Sequence, residues 1–295
     1  MIKNSYPSPQ KPGRVVVLGA GGFIGGAVTR RLRSEGMEVA PLGRPAHDLL
    51  DPEVAPRLAA ELRRDDVLVF VSAHAPVKNV PMLMENMRMG EAVCAALTSR
   101  PVAHVIYISS DAVYKDSAEP LSESSCAEPG SLHGVMHLAR EVMLQNEFRG
   151  PLAFVRPTLV YGIADPHNGY GPNRFRRLAA EGKDLVLFGE GEEQRDHVAV
   201  DDIAELVRRV VLHRSTGVVN AVSGEVASFR TLAEFIAGQF GSSVAIKGSP
   251  RVGPMPHNGF RPFAPSAAIA AYPGFKFTPW REGIARMCSE TANPK

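Results

Sequence analysis

Val15-Val16-Val17-Leu18-Gly19-Ala20-Gly21-Gly22-Phe23-Ile24-Gly25 is the stretch on which the fold turns. The first four residues are apolar at every position. That suits a strand buried on both faces of a parallel sheet, not one that alternates between core and water. Past the glycines, Ile24, Val28 and Leu32 recur with Arg30, Arg31 and Arg33 between them, the spacing of a helix with one buried face. Gly19, Gly21, Gly22, Phe23, Ile24 and Gly25 therefore form a strand-to-helix turn. Glycines let such a turn bend sharply and lie close to a pyrophosphate, whose charge meets the free N–H groups at the helix start. A tight turn with no ligand is the plain alternative.

Outward from this turn the same alternation repeats. Gly36 ends the helix, and 38–42 reads as a second strand, although Pro41 counts against a strand there. Helices near 54–64 and 82–97 lead to strands 67–72 and 102–109, and a long helix over 132–147 leads to strand 152–156. Strands alternating with helices predict an α/β, doubly wound (Rossmann) parallel sheet. After 156 the rhythm changes, with loop over 162–174, helices near 201–212 and 229–240, strands near 185–188 and 218–222, and a tail rich in Pro and Gly over 248–265. The expected organisation is a flexible leader (1–13), a dinucleotide-binding domain (14–160) and a smaller, partly discontinuous substrate lobe (161–295).

Composition narrows the function. Among 295 residues, 33 Lys and Arg against 31 Asp and Glu give a net charge of +2 with no long basic block, so nucleic acid is not an expected partner. Three widely spaced cysteines, Cys94, Cys126 and Cys288, form no CxxC pair, which disfavours a disulfide framework or a cysteine metal site. The first residues lack the apolar core of a signal peptide, and no run approaches the length of a membrane span. A soluble, cytoplasmic protein is expected.

The end of the second strand bears on which dinucleotide binds. An acid there would accept hydrogen bonds from the adenosine ribose, but this chain has Gly43-Arg44. A guanidinium suits a 2′-phosphate, so NADP(H) is favoured over NAD, with a solvated surface arginine as the alternative. Asp48 and Leu49 are placed to meet the adenine.

Four ordered motifs then resemble the extended short-chain dehydrogenase/reductases, the NAD(P)-dependent epimerase/dehydratase family. They are the GAGGFIG turn, Ser109-Ser110-Asp111-Ala112-Val113-Tyr114, Arg156-Pro157-Thr158-Leu159-Val160-Tyr161-Gly162, and the segment from Leu187-Phe188-Gly189 through Arg195-Asp196-His197 to Asp202. The resemblance spans about 14–285. It implies Ser110 at the catalytic Ser/Thr position and Ala73 with His74 along the cofactor. It places Leu187 and Phe188 against a nucleotide base and Arg195 on a diphosphate, where a bidentate guanidinium is chemically apt; an ion pair with Asp196 is the alternative for Arg195. Homodimerisation through the helices near 82–97 and 132–147 is also implied. Asn168, Asn173 and Arg174 in the loop 165–174, together with Arg261, are candidate substrate contacts, although a self-satisfied connector explains the loop equally well. Leu159 stands where many nucleotide-sugar members carry Asn.

The chain departs from the family at its Tyr-x-x-x-Lys signature. Counted from Pro129, His133 stands at the tyrosine position and His137 at the lysine position, on one helical face. A tyrosine must fall by about 3 from its usual value near 10 to move protons near neutrality, roughly 4 kcal/mol, whereas histidine at about 6.5 needs no such help. A fixed cation would depress the protonated imidazole, so the two replacements are mutually consistent. Asp111 is followed by Ala112, not by the Glu of family dehydratases, which disfavours elimination of water. Asp111 serves either chemistry or its own turn, as an acceptor for backbone N–H groups.

Three readings follow. In the first, Ser110 and His133 carry a reductase or epimerase reaction on a nucleotide-linked sugar, with His137 on the nicotinamide ribose. In the second, the chain is a catalytically inactive nucleotide-binding sensor or scaffold. In the third, His133 and His137 bind a metal. Gly134 occupies the place where the metalloprotease pattern wants Glu and no third ligand is evident, so no metal is expected.

Overall fold

The computed structural model describes residues 1–241 and 244–292. In its first half β1 (Val15–Leu18), α1 (Phe23–Ser34), β2 (Val39–Leu42), α2 (Val54–Glu61), β3 (Val67–Phe70), α3 (Val80–Ser99), β4 (His104–Ile108), α4 (Leu132–Glu147) and β5 (Leu152–Pro157) alternate as expected. Next come β6 (Leu159–Tyr161), α5 (Pro172–Ala180), β7 (Leu185–Phe188), β8 (Gln194–Ala199), α6 (Val200–Leu212), β9 (Gly217–Ala221), β10 (Val226–Ser228) and α7 (Phe229–Phe240). The last elements are β11 (Ile246–Ser249), β12 (Phe260–Arg261), α8 (Ser266–Ala271) and α9 (Trp280–Ala292). Six parallel strands form the main sheet in the order β2-β1-β3-β4-β5-β9. The order reverses at β1, which opens a crevice beyond the carboxyl ends of β1 and β3.

The unbroken apolar run of β1 is explained by its neighbours. Val15 and Val17, with Val67, Val69, Ile106 and Ile108, pack on the α1 and α6 side. Val16 and Leu18, with Leu68, Phe70, Val105 and Tyr107, pack on the side of α2 and α3. Side chains alternate with a period of two, so a strand covered on both faces is apolar at every position. β2 is the sheet edge, where Pro41 costs no central ladder bond.

Elements from beyond residue 160 return to the main sheet: β9 closes its far edge and α6 covers one face against α1. The smaller part holds a four-stranded mixed sheet (β10-β8-β12 with β6 on β8) and the parallel pair β7–β11 around its own core. The leader is not the free segment expected from its prolines. Ile2 is buried, Lys3 pairs antiparallel with Thr216, and the backbone N–H groups of Tyr6 and Gln10 donate to His213 and Leu212. The prolines stand at 7, 9 and 12, so the N–H groups of Lys3, Tyr6 and Gln10 are available to strap the chain along the end of α6. Among the described residues no helix is long and apolar enough to cross a membrane.

Candidate functional site

The glycine turn is held by close backbone approach. Gly19 has φ +100°, and a Cβ there would lie 2.7 Å from Ser72 Oγ; a Cβ on Gly25 would lie 2.1 Å from the carbonyl oxygen of Gly19. These two positions lock α1 against the end of β1. A Cβ on Gly21 would meet nothing within 4 Å, because it faces open space. Gly22 caps α1 without a side-chain hydrogen bond, and the first turn carries no acid. The helix start thus presents uncompensated N–H groups to the crevice, a fitting cradle for a pyrophosphate.

That crevice is a cleft of about 1120 Å³. Gly19, Gly21, Gly22, Phe23, Ile24, Arg44, Asp48, Leu49, Ala73, His74, Ser110, His133 and His137 all line it. Gly25 lies beneath, as the packing contact just described. Three basic residues not singled out in the sequence, Arg30, Arg33 and His47, share the wall with Arg44. Asp48 spends one carboxylate oxygen on the N–H of Leu50 (3.1 Å), within its own turn. The opposite wall is braced from behind. Asn86 Oδ1 accepts the N–H of His74 (3.0 Å), and Arg140, fully buried, donates to the carbonyls of Ser72 (2.8 Å) and Asn86 (2.7 Å).

Ser110 reaches the cleft at the end of β4, its Oγ accepting from Ala112 N–H (3.1 Å) and donating to Asp111 Oδ1 (3.3 Å). The first turn of α4 comes unusually near: a Cβ on Gly134 would stand 2.0 Å from the carbonyl oxygen of Ala112. This glycine is what allows His133 to share a wall with Ser110. The His133 and His137 rings meet edge to face at 4.7 Å. His137 Nδ1 shares a 2.8 Å hydrogen bond with the hydroxyl of Tyr107, whereas His133 Nδ1 is buried with no partner among the described residues. Burial lowers the pKa of both, His137 well below 6.5 with help from His133 and Arg140; for His133 the charge of Asp111 opposes the effect. A proton added to His133 disfavours a second on His137. Among the described residues no cluster of three metal-ligating side chains surrounds the pair.

The remaining expected substrate contacts do not line this cleft. Leu187 is wholly buried in the core of the smaller part, because alternation along β7 turns Leu185 and Leu187 inward and Phe188 outward. Phe188, half exposed, packs on Tyr170 at 4.4 Å. Arg195 is buried beside Glu193 (3.2 Å) and Asp111 (4.0 Å), and does not pair with Asp196, whose carboxylate accepts from the N–H groups of Ser223 and Gly224. Among the described residues the Asp111 carboxylate accepts from Ser110 Oγ and from Arg261 Nε (3.1 Å), and not from the backbone N–H groups of its turn. Arg261 is 1% exposed and is spent on Asp111, Asp116 and the carbonyls of Asp111 and Tyr114, so it offers no free diphosphate contact. Asn168 sits in a turn with Asp165 and Arg177, and Arg174 is exposed on α5. Asn173 joins Gly162 N–H to the Val160 carbonyl, and also lines a side cavity of about 140 Å³. In that cavity His197, held down to about 3 by burial, has Nε2 without a partner among the described residues.

A doubly wound parallel sheet with a glycine turn at its switch point defines a Rossmann-like α/β fold. The chain belongs to the NAD dependent epimerase/dehydratase family, whose model matches residues 15–222. A UDP-glucose 4-epimerase of Mycolicibacterium smegmatis is 28% identical over 266 residues, which cover 78% of this chain and 83% of that one. Among solved structures, the Thermus thermophilus UDP-glucose 4-epimerase in complex with NAD superposes with TM-score 0.83 at 23% identity, over 96% of this chain and 100% of that one. A GDP-L-fucose synthetase from Naegleria fowleri bound to NADP does so with TM-score 0.81 at 17% identity, covering 97% and 96%. At these identities the two structures establish the fold.

The approach at Gly134 makes a direct prediction. Gly134→Ala should cost about 1–3 kcal/mol through overpacking against rigid backbone. At roughly 2–4 °C per kcal/mol the thermal midpoint should then fall by several degrees. Gly21→Ala, with open space before it, should stay within about 0.5 kcal/mol of the parent. Calorimetry on the two variants checks both; equal midpoints would refute the contact.

Proposed function

We propose that this protein is an NADP(H)-preferring reductase or epimerase acting on a carbonyl or carbinol carbon of a nucleotide-linked sugar. What carries the reading is the meeting, in one cleft, of the uncapped start of α1 with Ser110 and His133. The N–H groups at Phe23 and Ile24 would hold the coenzyme's pyrophosphate, and Arg44, with Arg30 and Arg33 in the same cleft, a 2′-phosphate. When bound, such a coenzyme supplies or accepts the hydride. Ser110 Oγ would turn its proton from Asp111 toward the substrate oxygen. His133 would take that oxygen's proton on oxidation and return it on reduction. The known relatives named above act on or are named for nucleotide sugars, which supports that substrate class.

One observation favours the second reading, an inactive nucleotide-binding sensor. His133 Nδ1 has no orienting partner among the described residues, whereas a catalytic base is usually held by a third group. The pH dependence separates the two. Burial lowers His133, so the imidazole is mostly neutral at pH 7. As proton donor it should make kcat/KM for carbonyl reduction rise as pH falls below about 7, and level off below the lowered pKa. As base it should leave alcohol oxidation flat above about 6.5. His133→Ala should lower both rates by roughly 10²–10⁴-fold; an unchanged rate would sink the assignment. The coenzyme preference is checked separately by calorimetric titration. Arg44→Ala should weaken NADP by about tenfold, the loss of roughly 1.4 kcal/mol, and leave NAD unchanged. Equal weakening of both would refute a 2′-phosphate contact.

A further inference from the structure

We infer that the phenol of Tyr107 is a positioning group that fixes His137 as its Nε2–H tautomer, so that the ring offers one donor to a ribose hydroxyl of a dinucleotide in the cleft. The inference rests on the coenzyme reading above. Tyr107 lies on β4, wholly buried, with its hydroxyl 2.8 Å from His137 Nδ1. The other acceptor near that hydroxyl is the Met136 sulfur at 3.9 Å. A nitrogen lone pair at 2.8 Å is the far stronger acceptor, so the O–H is donated to Nδ1.

Protonation agrees with this direction. Burial raises the phenol to about 12, so it keeps its proton, and burial with the neighbouring His133 and Arg140 keeps His137 neutral. A neutral imidazole carries one N–H; with Nδ1 accepting, that hydrogen is on Nε2. His137 is 5% exposed yet lines the cleft, and its other nitrogen is taken, so Nε2 is the one left to face a ligand. The tyrosine has little freedom to turn away. Its ring is held by Phe70 at 5.2 Å and, edge on, by Phe154 at 6.4 Å. The opposite tautomer would leave the phenol proton only the distant sulfur and would present a ligand hydroxyl with a bare nitrogen.

Long-range ¹H–¹⁵N spectra of the ¹⁵N-histidine-labelled full chain test this without turnover, the His137 signals being those lost in His137→Ala. The wild type should show a bare Nδ1 and a protonated Nε2. Tyr107→Phe, which removes one oxygen and leaves the ring, should show mixed tautomers. It should also bind NADPH about 3–10-fold more weakly, the worth of one net hydrogen bond. In the His137→Ala background the same change should cost no further affinity. A protonated Nδ1 in the wild type, or unchanged tautomer and affinity in Tyr107→Phe, would overturn the inference. If the wild type binds neither NADP nor NAD, the coenzyme reading and the ribose contact both fail, while the spectra still decide what Tyr107 does to His137.

Discussion

Close approach of backbone to backbone at the carboxyl edge of the main sheet is the constraint from which the site follows. Gly25 against Gly19 brings α1 down onto β1, and Gly134 against Ala112 brings α4 down onto the turn after β4. Neither approach tolerates a Cβ. Each sets a helix start beside a strand end, so uncompensated N–H groups from one helix and two imidazoles from the other face a single cleft. The apolar strands beneath are covered on both faces and give this edge a rigid floor.

Electrostatics divides the molecule in two. In the cleft, Arg30, Arg33 and Arg44 stand at one end, while burial keeps His133 and His137 neutral. In the smaller part Arg195 and Arg261 are spent internally. Arg195 and Arg261 share Asp111, and Arg261 also takes Asp116. Through Asp111 and the carbonyls of Asp111 and Tyr114, Arg261 ties the C-terminal segment to the turn that carries Ser110. A diphosphate could reach these guanidinium groups only by replacing the carboxylates that now hold them.

The sequence made the main sheet legible because doubly covered strands announce themselves as unbroken apolar runs, and because glycines mark the turn. The cleft-lining residues 19–24, Arg44, Ser110 and the two histidines were readable from motif and spacing. Other features depend on partners distant in the chain. That Leu187 points inward follows from the phase of a four-residue strand, which a motif does not give. Arg261 meeting Asp111 joins residues 150 apart, and Tyr107 behind His137 joins residues 30 apart. The docking of the leader is not legible in the sequence, because prolines at 7, 9 and 12 dominate its composition while the pairing is made by Lys3 and its neighbours. Arg30 and Arg33 read as the solvated face of α1; only the fold turns that face toward the end of β2.

A crystal structure of the protein with NADPH bound tests the central claim most directly. The account predicts phosphates over Gly21–Phe23, the 2′-phosphate beside Arg44, and the nicotinamide ring on the wall formed by Ser110 and His133. A coenzyme bound elsewhere, or a nicotinamide facing away from both side chains, would contradict it.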